Sequence, residues 1–356
     1  MNLTIIIPTL GRMNLLLRLI HYYHTVAFKG MIVIGDGSSL SDYEKVNKAL
    51  TRYIDYLQIT HLHLPGSPVS DAVCVSNAYI KTDYVCLVGD DDFIVPITAA
   101  KCISFLEANK DYVASHGLGV ILQSEHGDTQ KIDNLIHYRQ TVREENSALV
   151  RLRAHLEDYT VSLFSVHRTV IWKRMWSSYP RSNTDSLLKD KTFFDELIPC
   201  CMSVGMGKVG NVDGLYLVRQ DHNKRYLLPS RYLWLLTKEW YSSFSIFRAQ
   251  LARVICNIDS ISYLYSLSMI DNLFSLYLDR CLFKSPTHPR VLIVKDRLRR
   301  FKFVFTIFRR LRWCLSSLFA TRNSVSLIGF KNSSSPYYSD FKYVLSAVMN
   351  PLIDSA

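Results

Sequence analysis

The sequence predicts an α/β protein, a mainly parallel sheet flanked by helices and followed by a helical C-terminal region. Three observations carry this expectation. Short β-rich runs alternate with longer helical ones from Leu3 to about Tyr226. The strand-like runs end in polar or glycine-bearing stretches, as ligand-binding edges of βαβ sheets do. After Tyr226 the chain turns to Leu, Tyr, Ser, Arg and Phe at helical spacing with few glycines. Residues 1–226 therefore read as one domain and 227–356 as a helical region.

Each element has its own signal. "LTIIIP" and "GMIVIGDGSS" read as strands ending in loops, separated by helical spacing from Met13 to His24. "YLQITHLHLP" is strand-like, and "DAVCVSNAYIKT" suits a helix entered at Asp71. "YVCLVGDDD" is a near-continuous apolar run of the kind covered on both faces, and a helix is expected near Pro96. "LVRQDHNKRY" is a later strand-like run ending in polar residues.

Composition narrows the class. A chain of 356 residues with 48 % hydrophobic and 21 % charged residues is globular rather than disordered. Its eight cysteines show no C-x-x-C spacing, which fits reduced thiols in the cytoplasm. The first strand begins too soon, and too uncharged at its head, for a secretory signal, and no apolar run reaches the length of a membrane span. The net charge of +11 is local: residues 290–322 carry ten Lys or Arg and one Asp, a net +9.

The chemistry concentrates at Asp90, Asp91 and Asp92. Three adjacent acids repel unless a positive group sits among them. The bland reading is a solvated loop with one Asp capping the next helix. A sheet edge favours a divalent ion instead, because Mg2+ or Mn2+ takes one or two carboxylates plus substrate phosphates.

"TIIIPTLGR", "VIGDGSS", "SNAYIKTDYVCLVGDDDFIVP", "FFDELIPCC" and "YLVRQDH" occur in the order seen in nucleotide-sugar glycosyltransferases of the GT-A fold, and the chain resembles glycosyltransferase family 2 over residues 3–226. The resemblance implies a mixed, mainly parallel sheet and an inverting, metal-dependent sugar transfer from a nucleoside diphosphate sugar. It places Pro8, Thr9, Arg12, Asp36 and Ser38 around the nucleotide, with Asp36 at the base edge. Asp71 and Asn77 fall near ribose and phosphate. The triplet matches the Asp-x-Asp metal element, framed by Asp90 and Asp92, with Asp90 also facing the donor. An alternative alignment puts the family's first acid at Gly89, which shifts the weight to Asp91 and Asp92. Taken singly, Asp36 also reads as an Asx-turn residue, Pro8 as a strand terminator and Arg12 as a solvated charge.

Sugar transfer also needs a base for the acceptor hydroxyl. Asp195 and Glu196 resemble the family's "ED" element. Spacing to Gly207 favours Asp195 slightly, helical phase does not choose between them, and both also suit a first helical turn. His222 is a candidate metal ligand and Arg219 or Lys224 a phosphate contact. Tyr159, Arg168 and Trp172 lie where the family faces its acceptor, although such aromatics also serve as core.

Residues 297–320 form a basic amphipathic helix on a wheel, with Phe and Leu opposite Arg299, Lys302, Arg309 and Arg310. That pattern suits an anionic membrane interface, or else an ordinary packed helix. The expectation is a cytoplasmic enzyme held peripherally at the inner membrane face, acting on a glycan or lipid-linked glycan acceptor of a bacterial surface polysaccharide. No nucleic-acid-binding signature appears. The rivals are a catalytically inactive scaffold of the same fold and, less favoured for want of a Gly-rich first loop, a nucleotidyltransferase.

Overall fold

The computed structural model describes residues 1–124, 130–177, 179, 190, 192–222, 234–237, 239–283, 324–325 and 327–350. Four parallel strands form its nucleus: β1 (Leu3–Thr9), β2 (Met31–Asp36), β3 (Gln58–His63) and β4 (Tyr84–Leu87), in the order β4-β1-β2-β3. Helices α1 (Met13–Thr25), α2 (Leu40–Leu50) and α3 (Val69–Ser76) connect them. The helix expected from Asp71 starts two residues earlier, because Pro68 with φ −66° sets the chain for helical entry. All four residues of β4 are buried, as a strand covered on both faces must be.

The sheet continues beyond β4 through β8 (Val166–Arg168) to β6 (Tyr112–Gln123), β7 (Asn134–Tyr138) and β10 (Ser324–Val325). The long strand β9 (Lys208–Asp221) pairs parallel with β6 and antiparallel with β5 (Phe93–Ile94). Most of the paired residues stand in parallel ladders, so the sheet is mixed but mainly parallel. Helix α4 (Pro96–Ala108) follows β5, with Pro96 in its first turn. Val95 precedes it, and no side chain caps it, so the acids are not spent as helix caps.

Two cores follow from the alternation of β1. Leu3, Ile5 and Ile7 face one core and Ile6 the other, and in β4 Cys86 and Val85 divide in the same way. The second core takes α5 (Ala148–Glu157), α6 (Thr169–Met175), α7 (Ile198–Met206), α8 (Glu239–Asp259) and α9 (Tyr263–Phe283). The first core is closed by α10 (Leu327–Lys331) and α11 (Tyr338–Met349), through Phe330, Phe341, Val344 and Val348. Trp234, Phe247, Ile270 and Phe274 complete the second. The described residues beyond 226 thus contribute to both cores of the preceding part.

The described cysteines are free thiols. Among the described residues no helix is long and apolar enough to cross a membrane. The basic segment 297–320 and Lys224 lie outside the described residues.

Candidate active site at the strand ends

The carboxyl ends of the parallel strands are stitched together. Thr9, Asp36 and His63 stand in register across β1, β2 and β3. Gly37 N–H donates to Thr9 O at 2.9 Å, Leu64 N–H to Asp36 O at 2.7 Å and Gly66 N–H to Gly37 O at 2.8 Å. Gly11, at φ +62°, makes the turn out of β1 and donates its N–H to Ser38 Oγ at 2.8 Å. Strand β4 stops short, so Asp90–Asp92 turn over this edge, closed by Asp92 N–H on Gly89 O at 3.1 Å.

The positive groups that the acids require are arginines. Asp90, fully buried, accepts Thr9 Oγ1 at 2.5 Å and Arg12 Nε at 3.1 Å, with Arg12 Nη2 2.6 Å from its other oxygen. Asp91 Oδ2 takes Arg12 Nη1 at 3.1 Å and His222 Nε2 at 3.0 Å. Asp92 accepts Arg219 Nε at 2.8 Å and Gln220 N–H at 3.0 Å. Beneath them Arg18, 3 % exposed, donates to Asp91 O at 3.3 Å and lies 5.2 Å from the Phe93 ring centroid. Three acids thus meet three guanidinium groups. Such a cluster offsets its desolvation through paired, hydrogen-bonded charges.

The proton affinities follow. Burial pushes Asp90 up to about 7 against the pull of Arg12. In Asp91 burial is outweighed by the His222 hydrogen bond and the Arg12 charge, which hold it well below the usual carboxylate range. Burial raises Asp92 despite Arg219. Burial lowers Arg18 to about 10, whereas in Arg219 the Asp92 charge overcomes burial and raises it.

Of the four residues expected to hold a metal, no three converge among the described residues. Consecutive side chains on a turn diverge, so Asp90 faces β1 and Asp92 faces β9. Asp91 and His222 remain. Their donor atoms, 3.0 Å apart, match neighbouring positions of an octahedral ion with bonds of about 2.1 Å, whose other positions fall to water and substrate oxygens. This pair fits Mg2+ or Mn2+, whereas the Asp90 and Asp92 carboxylates are engaged by Arg12 and Arg219.

The other expected residues divide. Asp36 is wholly buried, taking Ser38 N–H at 2.8 Å on one oxygen and His61 Nε2 at 3.1 Å on the other. Burial alone would raise its pKa, but these bonds bring it below the usual value. Both Asp36 oxygens are thus engaged within the protein, and the His61 ring, like that of His63, stacks on Tyr43. Pro8 is buried within β1 opposite Gly35, a strand residue without a polar side chain to offer. Asp71 sits in the first turn of α3 and hydrogen-bonds Tyr179, which also takes Ser70 Oγ at 3.1 Å. Asn77 follows the far end of α3 and accepts the Trp172 indole N–H at 2.7 Å, which removes both from the site.

Two further acceptor candidates are structural. Arg168 lies at the opposite sheet edge, donating to the carbonyls of Leu106, Asn109 and Tyr112 and so closing the end of α4. Tyr159 packs against His155 and Tyr277 beside the second core.

Asp195 and Glu196 lie in a π-helical turn (Phe193–Leu197) that runs into α7; such turns often occur at functional sites. Asp195 is 7 % exposed and Glu196 half-buried. The Asp195 charge acts on Tyr179, beside Asp71, and that of Glu196 on Tyr138. Tyr138 and Phe164 enclose Arg219, with ring centroids 5.0 and 4.5 Å from its guanidinium carbon. Arg18, His61, Tyr138, Phe164 and Tyr179 escaped the sequence reading. Only Arg18, one charge within "LLLRLI", carried a visible signal.

No family model and no curated protein matches the chain. Among solved structures it is similar to S. aureus TarS 1-349 in complex with UDP-GlcNAc (15 % identity, 95 % of this chain and 99 % of that one, TM-score 0.47). It is also similar to the mannosyltransferase PcManGT from Pyrobaculum calidifontis in complex with GDP-Man and Mn2+ (11 % identity, 90 % and 88 %, TM-score 0.41). Against another S. aureus TarS structure the match spans 54 % of that chain, about half its length. With TM-scores below 0.5, these likenesses assign no residue of this chain a role.

Proposed function

We propose that the chain is a metal-dependent glycosyltransferase that moves a sugar, with inversion, from a nucleoside diphosphate sugar to a hydroxyl of a growing glycan. One observation carries the reading: Thr9 and Arg12 after β1, Asp90–Asp92 after β4, and Arg219 and His222 from the end of β9 converge at one edge. A carboxylate–imidazole pair among guanidinium groups suits a metal-bound diphosphate.

In this reading Arg12 and Arg219 bind the diphosphate oxygens, and Asp71 and Ser38 line the nucleoside side. Asp91 and His222 hold Mn2+ or Mg2+, which when bound neutralises charge on the leaving diphosphate. Asp195 or Glu196 takes the acceptor proton as the hydroxyl oxygen bonds to the anomeric carbon. The bond from that carbon to the diphosphate breaks on the opposite face, and its electron pair leaves with the diphosphate.

We propose further that the basic segment 297–320 holds the chain at an anionic membrane, and the lipid-linked acceptor rests on that segment alone. It is dropped if the purified protein ignores anionic liposomes at low salt. The site itself is tested by thermal shift with UDP, GDP, CMP and ADP, each with and without Mn2+. One nucleotide is expected to raise the melting temperature only with the ion, at saturation by roughly the 2.7 kcal/mol that a hundredfold excess over Kd provides. If none does, the edge is not a donor site and the inactive scaffold takes its place.

A further inference from the structure

We infer that the three acids divide their labour: Asp91 alone serves the ion, while Asp90 and Asp92 are positioning residues that hold Arg12 and Arg219 toward the diphosphate. The inference rests on the donor-site reading above and goes beyond it, because it takes two of three adjacent acids out of metal binding.

Each outer acid is shaped for a guanidinium. Asp90 Oδ2 accepts both Arg12 Nε and Thr9 Oγ1, while its Oδ1, which accepts no hydrogen bond among the described residues, lies in ion-pair contact with Arg12 Nη2 at 2.6 Å. Asp92, 1 % exposed, holds Arg219 Nε with one oxygen and is itself anchored by Gln220 N–H with the other. Neither carboxylate opens to the edge, yet both arginine side chains remain 18 % exposed there. The acids are the buried half of each pair and the arginines the presented half.

The middle acid differs. Asp91 Oδ2 is shared between Arg12 Nη1 and His222 Nε2. When an ion takes that oxygen, Arg12 keeps its place because Asp90 holds it independently, and its Nη1 turns to the phosphate oxygens. Arg219 needs no such exchange: Asp92 and the Tyr138 and Phe164 rings fix it on three sides. An Asn at 90 or 92 presents one acceptor oxygen and an NH2 that opposes the guanidinium donors, so it cannot reproduce either grip.

The test uses the full chain with whichever nucleoside diphosphate shifts the wild-type melt. Bound Mn2+ is counted by electron paramagnetic resonance, and affinities are measured for the diphosphate and its monophosphate. Asp90→Asn and Asp92→Asn are expected to retain Mn2+, to bind the diphosphate about 10- to 100-fold more weakly and to bind the monophosphate within about twofold of wild type. Arg12→Lys and Arg219→Lys, which leave every acid in place, should reproduce that pattern should an Asn variant fail to fold. Asp92→Asn with Arg219→Lys together should be no worse than either alone. Asp91→Asn is expected to lose the ion. Loss of Mn2+ from Asp90→Asn or Asp92→Asn overturns the division of labour, as does an equal loss of mono- and diphosphate binding. A wild type that binds no nucleotide overturns the donor reading itself, a result distinct from either.

Discussion

His222 Nε2 meets Asp91 Oδ2 at 3.0 Å across 131 positions of sequence, with His222 3 % and Asp91 7 % exposed. His222→Ala is therefore expected to abolish the Mn2+-dependent part of nucleotide stabilisation, as Asp91→Asn does, while the ligand-free melting temperature stays within a few degrees. Differential scanning fluorimetry with and without Mn2+ reads both.

A Cβ at Gly89 would lie 2.5 Å from Asp91 Oδ1. Gly89→Ala should push the Asp91 carboxylate out of line with His222. The expected outcome is weaker Mn2+ binding at a stability cost of about 1 kcal/mol. Unchanged Mn2+ affinity, measured by calorimetry, would show that Asp91 accommodates the methyl group.

Asp195→Asn and Glu196→Gln separate the base from its neighbour. The variant lacking the base should keep its nucleotide-dependent thermal shift and lose turnover by about 10²- to 10⁴-fold. The other should lose less than about tenfold. Equal losses of binding in both would remove the pair from the chemistry.

A stability prediction lies far from the site. The Asp259 carboxylate, at the end of α8, accepts Ser147 Oγ at 2.8 Å and the N–H groups of Ala148 and Leu149 at 2.7 and 2.8 Å, capping α5 from another helix. Asp259→Ala should cost about 1–3 kcal/mol by chemical denaturation and leave nucleotide binding unchanged.

Acid sensitivity follows from two buried histidines. Burial lowers His155 to about 3 and His167 to about 4. Among the described residues neither ring nitrogen of His155 has a hydrogen-bond partner. Below a pH of about 6.5 the unfolded chain protonates both while the folded chain does not, so stability falls with pH, by up to about 1.4 kcal/mol per unit for each. The loss runs from about 6.5 down to the folded values. His155→Leu should flatten the slope in urea titrations across this range; an unchanged slope would refute the assignment.

The strand ends were legible because uninterrupted apolar runs before polar loops admit few alternatives once they alternate with helices. Thr9, Arg12 and Asp71 came from the family resemblance laid on those strand ends, and Arg219 and His222 from the polar end of a later strand-like run. The split of the triplet was not legible, since "GDDD" gives no sign of which way a turn sends each side chain. Nor were Asn77, Trp172 and Arg168, whose polar groups satisfy one another or the backbone at positions only the fold brings together. Aromatics such as Tyr138 and Phe164 look alike in sequence whether they fill a core or enclose a guanidinium.

Among the described residues, α1 is covered by α11, a helix more than 300 residues further along the chain. Helix α11 packs Phe341, Val344 and Val348 into the core that α1 helps to form. During synthesis at about 5–20 residues per second, the apolar side of α1 waits roughly 15–65 s on the ribosome for those residues to be made. That apolar side is then exposed for as long, and a gene cut after residue 226 should deliver its product to inclusion bodies.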